Sequence, residues 1–141
     1  MLKYRLLHPD ILRALGGAGH GSKVLIADGN YPFATGVGAN AQHVYLNLAP
    51  GLVTVTDVLR VLVDAIPIEA AQVMMPEAGN EPSIFQDFRA ILPPGLNLGK
   101  LGRFEFYDAA HQSDTALVIA TGEQRIYANI LLTVGVVPPP Q

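Results

Sequence analysis

Short apolar runs alternate with amphipathic helical patterns along this chain, and the alternation constrains its fold more than any other sequence feature. The runs at 23–27, 115–121 and 130–134 are compact and rich in aliphatic residues, which is typical of buried strands. Weaker strand patterns are found at 43–48, 52–55 and 72–75. Strands that alternate with helices predict an α/β fold around a mostly parallel or mixed sheet.

Helix boundaries are marked by proline, glycine and capping residues. A first helix is predicted to start near Pro9 and to end at the glycine pair 16–17, since proline suits a first turn and glycine a C-terminal cap. A second is predicted over 56–66 with its first threonine as the cap, and a third begins at Ser83 and ends before a proline pair. Periodicity alone does not decide whether 103–111 is helix or strand.

The composition favours one self-associating domain. The chain has 141 residues, the usual size of a single domain, so 1–141 is predicted to form one unit. Half of the residues are hydrophobic, only 15% are charged and the mean hydropathy is +0.30. No apolar run approaches the ~20 residues of a membrane helix, so association between copies explains the apolar excess better than membrane insertion does.

Charge, cysteine and histidine patterns exclude several partners and chemistries. Nine basic and twelve acidic residues leave a net charge of −3 with no Lys/Arg run, which argues against nucleic-acid binding. Without cysteine there is no disulfide and no thiolate site. The first ten residues lack the apolar segment of a signal peptide, so we expect a cytoplasmic protein. The four histidines lack the spacing of a metal site, and we expect no metal or other cofactor.

A glycine-rich turn presents His20. The glycines at 16–21 precede a strand and follow a helix, which is the reverse of the order that a phosphate-binding loop requires. Histidine exchanges protons near neutral pH, and Asp28, eight residues on, is a carboxylate that could orient the imidazole. The alternative is that His20 bonds only to backbone and that Asp28 forms a turn before Gly29.

Tyr127 and Asn129 precede the last strand and are two residues apart. If both lie in extended chain, their side chains point to the same side. A phenol and a carboxamide placed side by side suit hydrogen bonding to a small polyol. On spacing alone, a strand with two half-exposed polar residues is an equally good interpretation.

Five short motifs occur in a fixed order along the chain. They are Gly19-His20-Gly21, Ala27-Asp28-Gly29-Asn30-Tyr31-Pro32, Val73-Met74-Met75, Arg103-Phe104-Glu105-Phe106-Tyr107 and the C-terminal block 121–136. With them the sequence resembles the ribose pyranase/fucose mutarotase (RbsD/FucU) family from end to end, and the third and fourth motifs are more similar to the fucose mutarotase branch than to the ribose pyranase branch.

The resemblance implies a fold and an assembly. We expect an α/β structure, a single three-layer domain around a mixed β-sheet. Family members form rings, commonly decamers, with pockets near the subunit contacts. The low charge noted above agrees with such an assembly.

The resemblance also implies an activity and a site. Family members interconvert the α and β anomers of a reducing sugar by acid/base ring opening and reclosure. For this chain we expect the sugar to be L-fucose, with ribose and galactose as alternatives. By resemblance His20 is the acid/base residue, Asp28 binds a sugar hydroxyl or orients His20, and Arg103, Tyr127 and Asn129 complete the pocket. Glu123 serves either the pocket or only its turn. The competing hypothesis is a non-catalytic sugar-binding or transport accessory protein, which would have no need of His20.

Overall fold

A six-stranded sheet forms the centre of the protein in the computed structural model, which describes all residues from Met1 to Gln141. The strands are β1 (Lys23–Ala27), β2 (Gln42–Tyr45), β3 (Ile68–Met74), β4 (Leu98–Leu101), β5 (Thr115–Ala120) and β6 (Ile130–Val134). The helices are α1 (Pro9–Gly17), α2 (Val55–Leu62), α3 (Ile84–Ile91) and α4 (Arg103–Ala110).

The sheet is mixed, as predicted. Its strand order is β2-β5-β1-β6-β3-β4, and β6 runs antiparallel to both β1 and β3 while the other neighbouring pairs are parallel. We call the end at which β1, β3 and β5 finish and β6 begins the carboxyl end of the sheet, and the opposite end the amino end. Loops that follow parallel strands meet at the carboxyl end, where α/β proteins usually bind their ligands.

Helices cover both faces of the sheet and give it three layers. Alternate residues of β1 show the division: Val24 and Ile26 pack with the buried faces of α1, α2 and α3, whereas Leu25 and Ala27 pack with α4 and the loop after β1. Phe106 of α4 is fully buried in the second layer. No helix in the structure combines the length and the apolar character needed to cross a membrane.

Most of the predicted elements are confirmed, with changed boundaries at β2, β3 and α2. That helix is capped by Thr54, not Thr56: the Thr54 hydroxyl accepts a hydrogen bond from the Asp57 amide, and the Asp57 carboxylate accepts one from the Thr54 amide. This reciprocal pair satisfies two backbone donors that Thr56 would leave unpaired. The ambiguous segment 103–110 is a helix.

The structure differs from the strand predictions at two places. The segment 52–55 is not a strand; it contributes only an isolated bridge between Leu52 and Ala49. Conversely, β4 was not expected, because its Leu-Gly-Lys-Leu sequence has weak strand propensity. It forms through parallel pairing with β3, in which Ala71 lies opposite Leu98.

Candidate functional site

Four of the five predicted site residues line one open pocket at the carboxyl end of the sheet. The pocket has a volume of about 320 Å³, close to the lower limit for small-molecule sites. It combines acidic, cationic, amide and aromatic side chains, so it suits a small ligand with several hydroxyl groups. Its lining residues are Asp28, Asn30, Tyr31, Met74, Arg103, Tyr107, Ile126, Tyr127 and Asn129.

Asp28 is the buried centre of this pocket. The residue directly follows β1. Its carboxylate accepts hydrogen bonds from the amide N–H groups of Asn30 (3.0 Å) and Ala128 (3.2 Å) and from the Asn129 side chain (3.1 Å). The Asp28 backbone amide donates in return to Oδ1 of the Asn129 side chain at 2.8 Å. Burial raises the pKa of Asp28, and these hydrogen bonds limit the rise. The carboxylate therefore joins the end of β1 to the turn before β6.

The segment before β6 is a turn and not the extended chain that the spacing of Tyr127 and Asn129 suggested. Tyr127 has φ of 60°, in the left-handed region, and β6 begins only at Ile130. A non-glycine residue there costs about 1–3 kcal/mol and persists only where surrounding contacts hold it. Asp28 supplies those contacts through Ala128 and Asn129. Tyr127 and Asn129 thus reach the same pocket through a strained turn.

Arg103 and two tyrosines form the opposite side of the pocket. Arg103 begins α4 and is exposed, with its guanidinium carbon 5.8 Å from the centre of the Tyr107 ring. The Tyr107 ring lies 5.5 Å from that of Tyr31. The Tyr31 hydroxyl is buried and donates to the Gly36 carbonyl at 2.6 Å, and burial holds its pKa far above the usual range. Tyr31 therefore contributes a neutral ring, while Arg103 is a cation available to a ligand.

Glu123 is hydrogen-bonded within its own turn and does not line the pocket around Asp28. It is buried, and its carboxylate accepts from the amide and the guanidinium of Arg125 at 2.8–3.0 Å and from the Val55 amide at 3.3 Å. Arg125 also binds Asp87 of α3 at 2.8 Å. Burial is the largest single influence and would raise the pKa of Glu123, but the hydrogen bonds from Arg125 and Val55 together outweigh it and hold the pKa below its usual value.

Glu123→Gln is expected to destabilise the fold in a pH-dependent way. Because the pKa of Glu123 is lower in the folded chain than in the unfolded chain, the carboxylate stabilises the protein above pH 4.5. This contribution is lost as the pH falls through the folded-state value. We expect a loss of about 1–3 kcal/mol at pH 7, shrinking as the pH falls below 4.5, in urea unfolding at fixed protein concentration. The exposed Glu77→Gln is the matched control. A loss that does not vary with pH would contradict the ionic network.

A second polar hollow of about 390 Å³ adjoins the pocket and shares Asn30 with it. Its lining contains Thr121 and Glu123, whose polar groups are engaged within the turn: the Thr121 hydroxyl donates to the Ala27 carbonyl at 2.7 Å. No cationic or aromatic side chain lines it. The pocket around Asp28 is therefore the better candidate for ligand binding.

His20, the fifth predicted residue, lies at the opposite end of the sheet. It is exposed in the loop before β1, whereas Asp28 follows the same strand. At ~3.3 Å per residue a strand of this length spans ~16 Å, so Asp28 does not orient His20 within one chain. The carboxylate beside His20 is that of Glu69, with both oxygens 3.0–3.1 Å from Nε2. Sequence reasoning missed Glu69 because it is 49 residues away along the chain.

Two of the other three histidines, His43 and His111, have backbone partners. His43 on β2 contacts the Phe33 carbonyl at 2.9 Å, and His111 contacts the Tyr107 and Thr35 carbonyls at 2.7 and 2.9 Å. No group of three or more His, Asp or Glu side chains is arranged to hold a metal ion.

Fold and site together define an α/β protein with one six-stranded mixed sheet and a polar pocket at the carboxyl end of that sheet. The family model described as the RbsD / FucU transport protein family matches residues 1–137, and the chain belongs to this family. The resemblance carried by the five motifs is thereby confirmed.

Individual relatives are similar over nearly the whole chain. Fucose mutarotase of Homo sapiens is 29% identical over 144 residues, covering 93% of this chain and 90% of the relative. D-ribose pyranase of Paracidovorax citrulli is 30% identical over 136 residues, covering 96% and 98%. The crystal structure of fucose mutarotase from Streptococcus pneumoniae in complex with L-fucose superposes with a TM-score of 0.83 at 27% identity, covering 98% of this chain and all of that one. Relatives of both names are thus equally similar to this chain.

Proposed function

We propose that the protein is a monosaccharide mutarotase that interconverts the α and β anomers of a reducing sugar. The observation that carries the proposal is the convergence of Asp28, Arg103, Tyr127 and Asn129 on one pocket, in a chain whose relatives are named fucose mutarotase and D-ribose pyranase. The pocket volume of about 320 Å³ suits a ligand of monosaccharide size.

The pocket residues have the chemistry to bind a sugar. Three hydrogen bonds leave the Asp28 carboxylate one acceptor position for a sugar hydroxyl, and the Asn129 side-chain amide has one donor and one acceptor position beyond its bonds to Asp28. The guanidinium of Arg103 is always positively charged and can donate hydrogen bonds to sugar hydroxyl oxygens. The ring face of Tyr107 can pack against the C–H face of a pyranose, as aromatic rings pack against apolar surfaces.

Mutarotation requires two proton transfers and no group transfer. A base removes the proton of the anomeric hydroxyl, an acid protonates the ring oxygen, and the bond from the anomeric carbon to the ring oxygen breaks to give the open-chain carbonyl form. Rotation and reclosure on the other face return both protons. Acid–base groups held in position contribute ~10²–10⁴-fold, which suffices for a reaction that already proceeds in water.

We propose that a neighbouring copy supplies His20 as the acid/base residue. The pocket formed by a single chain contains no imidazole, and His20 is exposed at the far end of the sheet. Ile126, which lines the pocket, and Phe104, which follows the pocket residue Arg103, are 67% and 68% exposed, as expected of side chains that a partner covers. A closed ring of identical subunits satisfies such surfaces, and by resemblance to the family we propose a decamer.

L-fucose is our first choice of substrate. The segment Arg103-Phe104-Glu105-Phe106-Tyr107, which resembles the fucose mutarotase branch, places Arg103 and Tyr107 in the pocket. D-ribose and D-galactose are the alternatives, since ribose pyranases are just as similar in sequence.

Saturation-transfer NMR on the anomeric protons tests the activity directly. At sub-stoichiometric protein concentration, with chelator and without nucleotide, exchange should exceed the buffer rate for L-fucose and be slower for ribose and galactose. Accelerated exchange of ribose alone would show that ribose, and not L-fucose, is the substrate. Exchange at the buffer rate for every monosaccharide would overturn the proposed mutarotase activity.

A non-catalytic sugar-binding protein is the second candidate, and the absence of an imidazole from the single-chain pocket favours it. It predicts that sugar perturbs the NMR signals of the pocket, including the Asn129 side-chain amide, without any gain in exchange. The same sample therefore separates the two functions.

A further inference from the structure

We propose that the C-terminal segment, residues 136–140, of one copy forms an apolar wall of the sugar pocket in a neighbouring copy. In this arrangement Val136 and Val137 pack against Phe104 and Ile126 of the neighbour. The inference rests on the proposed function, in which His20 of one copy completes the pocket of another, and it adds a second element that crosses between the same two copies.

The C-terminal segment starts beside His20. The Gly21 amide donates to the Val134 carbonyl at 2.9 Å, so the loop that carries His20 is bonded to the end of β6. A Cβ added at Gly135 would lie 3.6 Å from Oε2 of Glu69, and the same oxygen lies 3.0 Å from Nε2 of His20. A pocket that His20 reaches is therefore also within reach of the residues that follow Gly135.

The C-terminal segment is extended and is not covered by its own chain. Val136 and Val137 are 60% and 76% exposed, and residues 136–141 make no backbone hydrogen bond. The three prolines at 138–140 lie beyond residue 137, where the match to the family model ends. They lack an amide donor and favour an extended chain of about 3.1 Å per residue, so the segment spans about 16 Å.

The pocket has an apolar edge that its own chain also leaves uncovered. Ile126 lines the pocket and is 67% exposed, and Phe104 is 68% exposed. The Phe104 ring centre lies 5.7 Å from the guanidinium carbon of Arg103, which lines the pocket as well. Large apolar side chains that are exposed beside a polar site are typical of a surface that a partner covers.

These two apolar surfaces lie at opposite ends of the sheet within one chain. Between them runs β6, which begins at Ile130 beside the pocket, ends at Val134 and spans about 16 Å. Contact between the two surfaces therefore joins two copies, as the proposed contact of His20 with the pocket does. No residue from 126 to 141 has a charged side chain, so the contact buries no charge.

Val137→Ser tests what the C-terminal segment contributes to sugar binding. The position is exposed, so the fold of each chain should be retained. We expect KM for anomer exchange to rise roughly 3- to 10-fold, as for removal of part of a buried aliphatic side chain, with kcat nearly unchanged. Val137→Ile keeps the apolar surface and should keep the KM. The control Leu48→Ser, at an 84% exposed position outside the pocket, should also keep it. An unchanged KM in Val137→Ser would overturn the proposal.

Crosslinking between introduced cysteines tests the contact without turnover. The chain contains no cysteine, so each pair of substitutions reports one contact. Ile126→Cys is combined with Val136→Cys or with Val137→Cys, and each double variant is treated with a bis-maleimide shorter than β6. We expect linked dimers and larger species on a denaturing gel, because the two thiols of one chain are separated by the length of the strand.

Two further pairs separate this proposal from the proposed function. Leu48→Cys with Val137→Cys should give no linked species, and linkage there would overturn the proposed contact. His20→Cys with Ile126→Cys tests the shared site itself. If this pair links copies while neither C-terminal pair does, only the wall formed by the C-terminal segment fails. If no pair links copies, the shared site of the proposed function fails as well.

Discussion

Replacing His20 with glutamine should slow anomer exchange by about 10²-fold or more while sugar affinity changes much less. Glutamine fills a similar volume and can still bond to Glu69, but it does not take up and release a proton near neutral pH. The pocket that we propose binds the sugar contains Asp28 and Arg103 and not His20, so binding should persist. Saturation-transfer NMR gives the exchange rate, and calorimetric titration of the same sample gives the affinity.

The matched control is His43→Gln. His43 is also exposed and has one hydrogen bond, to the Phe33 carbonyl, but it lies on the edge strand β2 and lines no part of the pocket. Its substitution should leave exchange unchanged. Full activity of His20→Gln would remove that residue from the mechanism, and an equal loss in both variants would indicate a general effect on assembly.

Two inactive variants should restore activity when they assemble together. Asp28→Asn removes the buried carboxylate from the pocket, and His20→Gln removes the imidazole from the opposite end of the sheet. If each site combines the pocket of one copy with His20 of another, random mixing leaves about a quarter of the sites with both groups intact. Co-expression with two different affinity tags, purification on both and NMR exchange would measure the recovery.

Assembly has to be verified before this result is interpreted. Size-exclusion chromatography with light scattering should give the same mass for the single variants, the mixture and the unsubstituted protein. Because Asp28 also holds the turn before β6, Asp28→Asn could disturb assembly. Arg103→Ala is then the second pocket variant, since the Arg103 side chain makes no hydrogen bond within the chain. Mixed assemblies without recovered activity would overturn the shared site, as would a monomer of 15.0 kDa that still catalyses exchange.

The regular elements could be predicted because their signals are local. The strands β1, β5 and β6 are compact apolar runs, and α3 ends before a proline pair, so neighbouring residues carry the information. The strand β4 could not be predicted, because its four residues are strand only through pairing with β3. The cap of α2 was misplaced by two residues, since Thr54 and Thr56 both suit a cap and only the reciprocal bond to Asp57 selects the first.

The candidate site was predicted as a set of residues and not as an arrangement. Motif order along the chain indicated Asp28, Arg103, Tyr127 and Asn129, and the structure brings these four together. Spacing suggested that Tyr127 and Asn129 share a side of an extended strand, whereas a left-handed residue brings them to the pocket. An argument from spacing assumes the dihedral angles of a regular strand. It fails here because the buried Asp28 carboxylate holds a turn in which Tyr127 has left-handed dihedral angles.

The sequence by itself determined the α/β class, the apolar excess that favours association, and the residues whose types suit sugar binding and proton transfer, because these depend on composition and on neighbours along the chain. Only the tertiary structure decided which of those residues meet. It joined Asp28 to Asn129 across 101 positions, gave His20 the carboxylate of Glu69, and separated His20 from the pocket by the length of β1. Such contacts depend on strand order, strand direction and strand register, and these are set by the packing of the whole sheet.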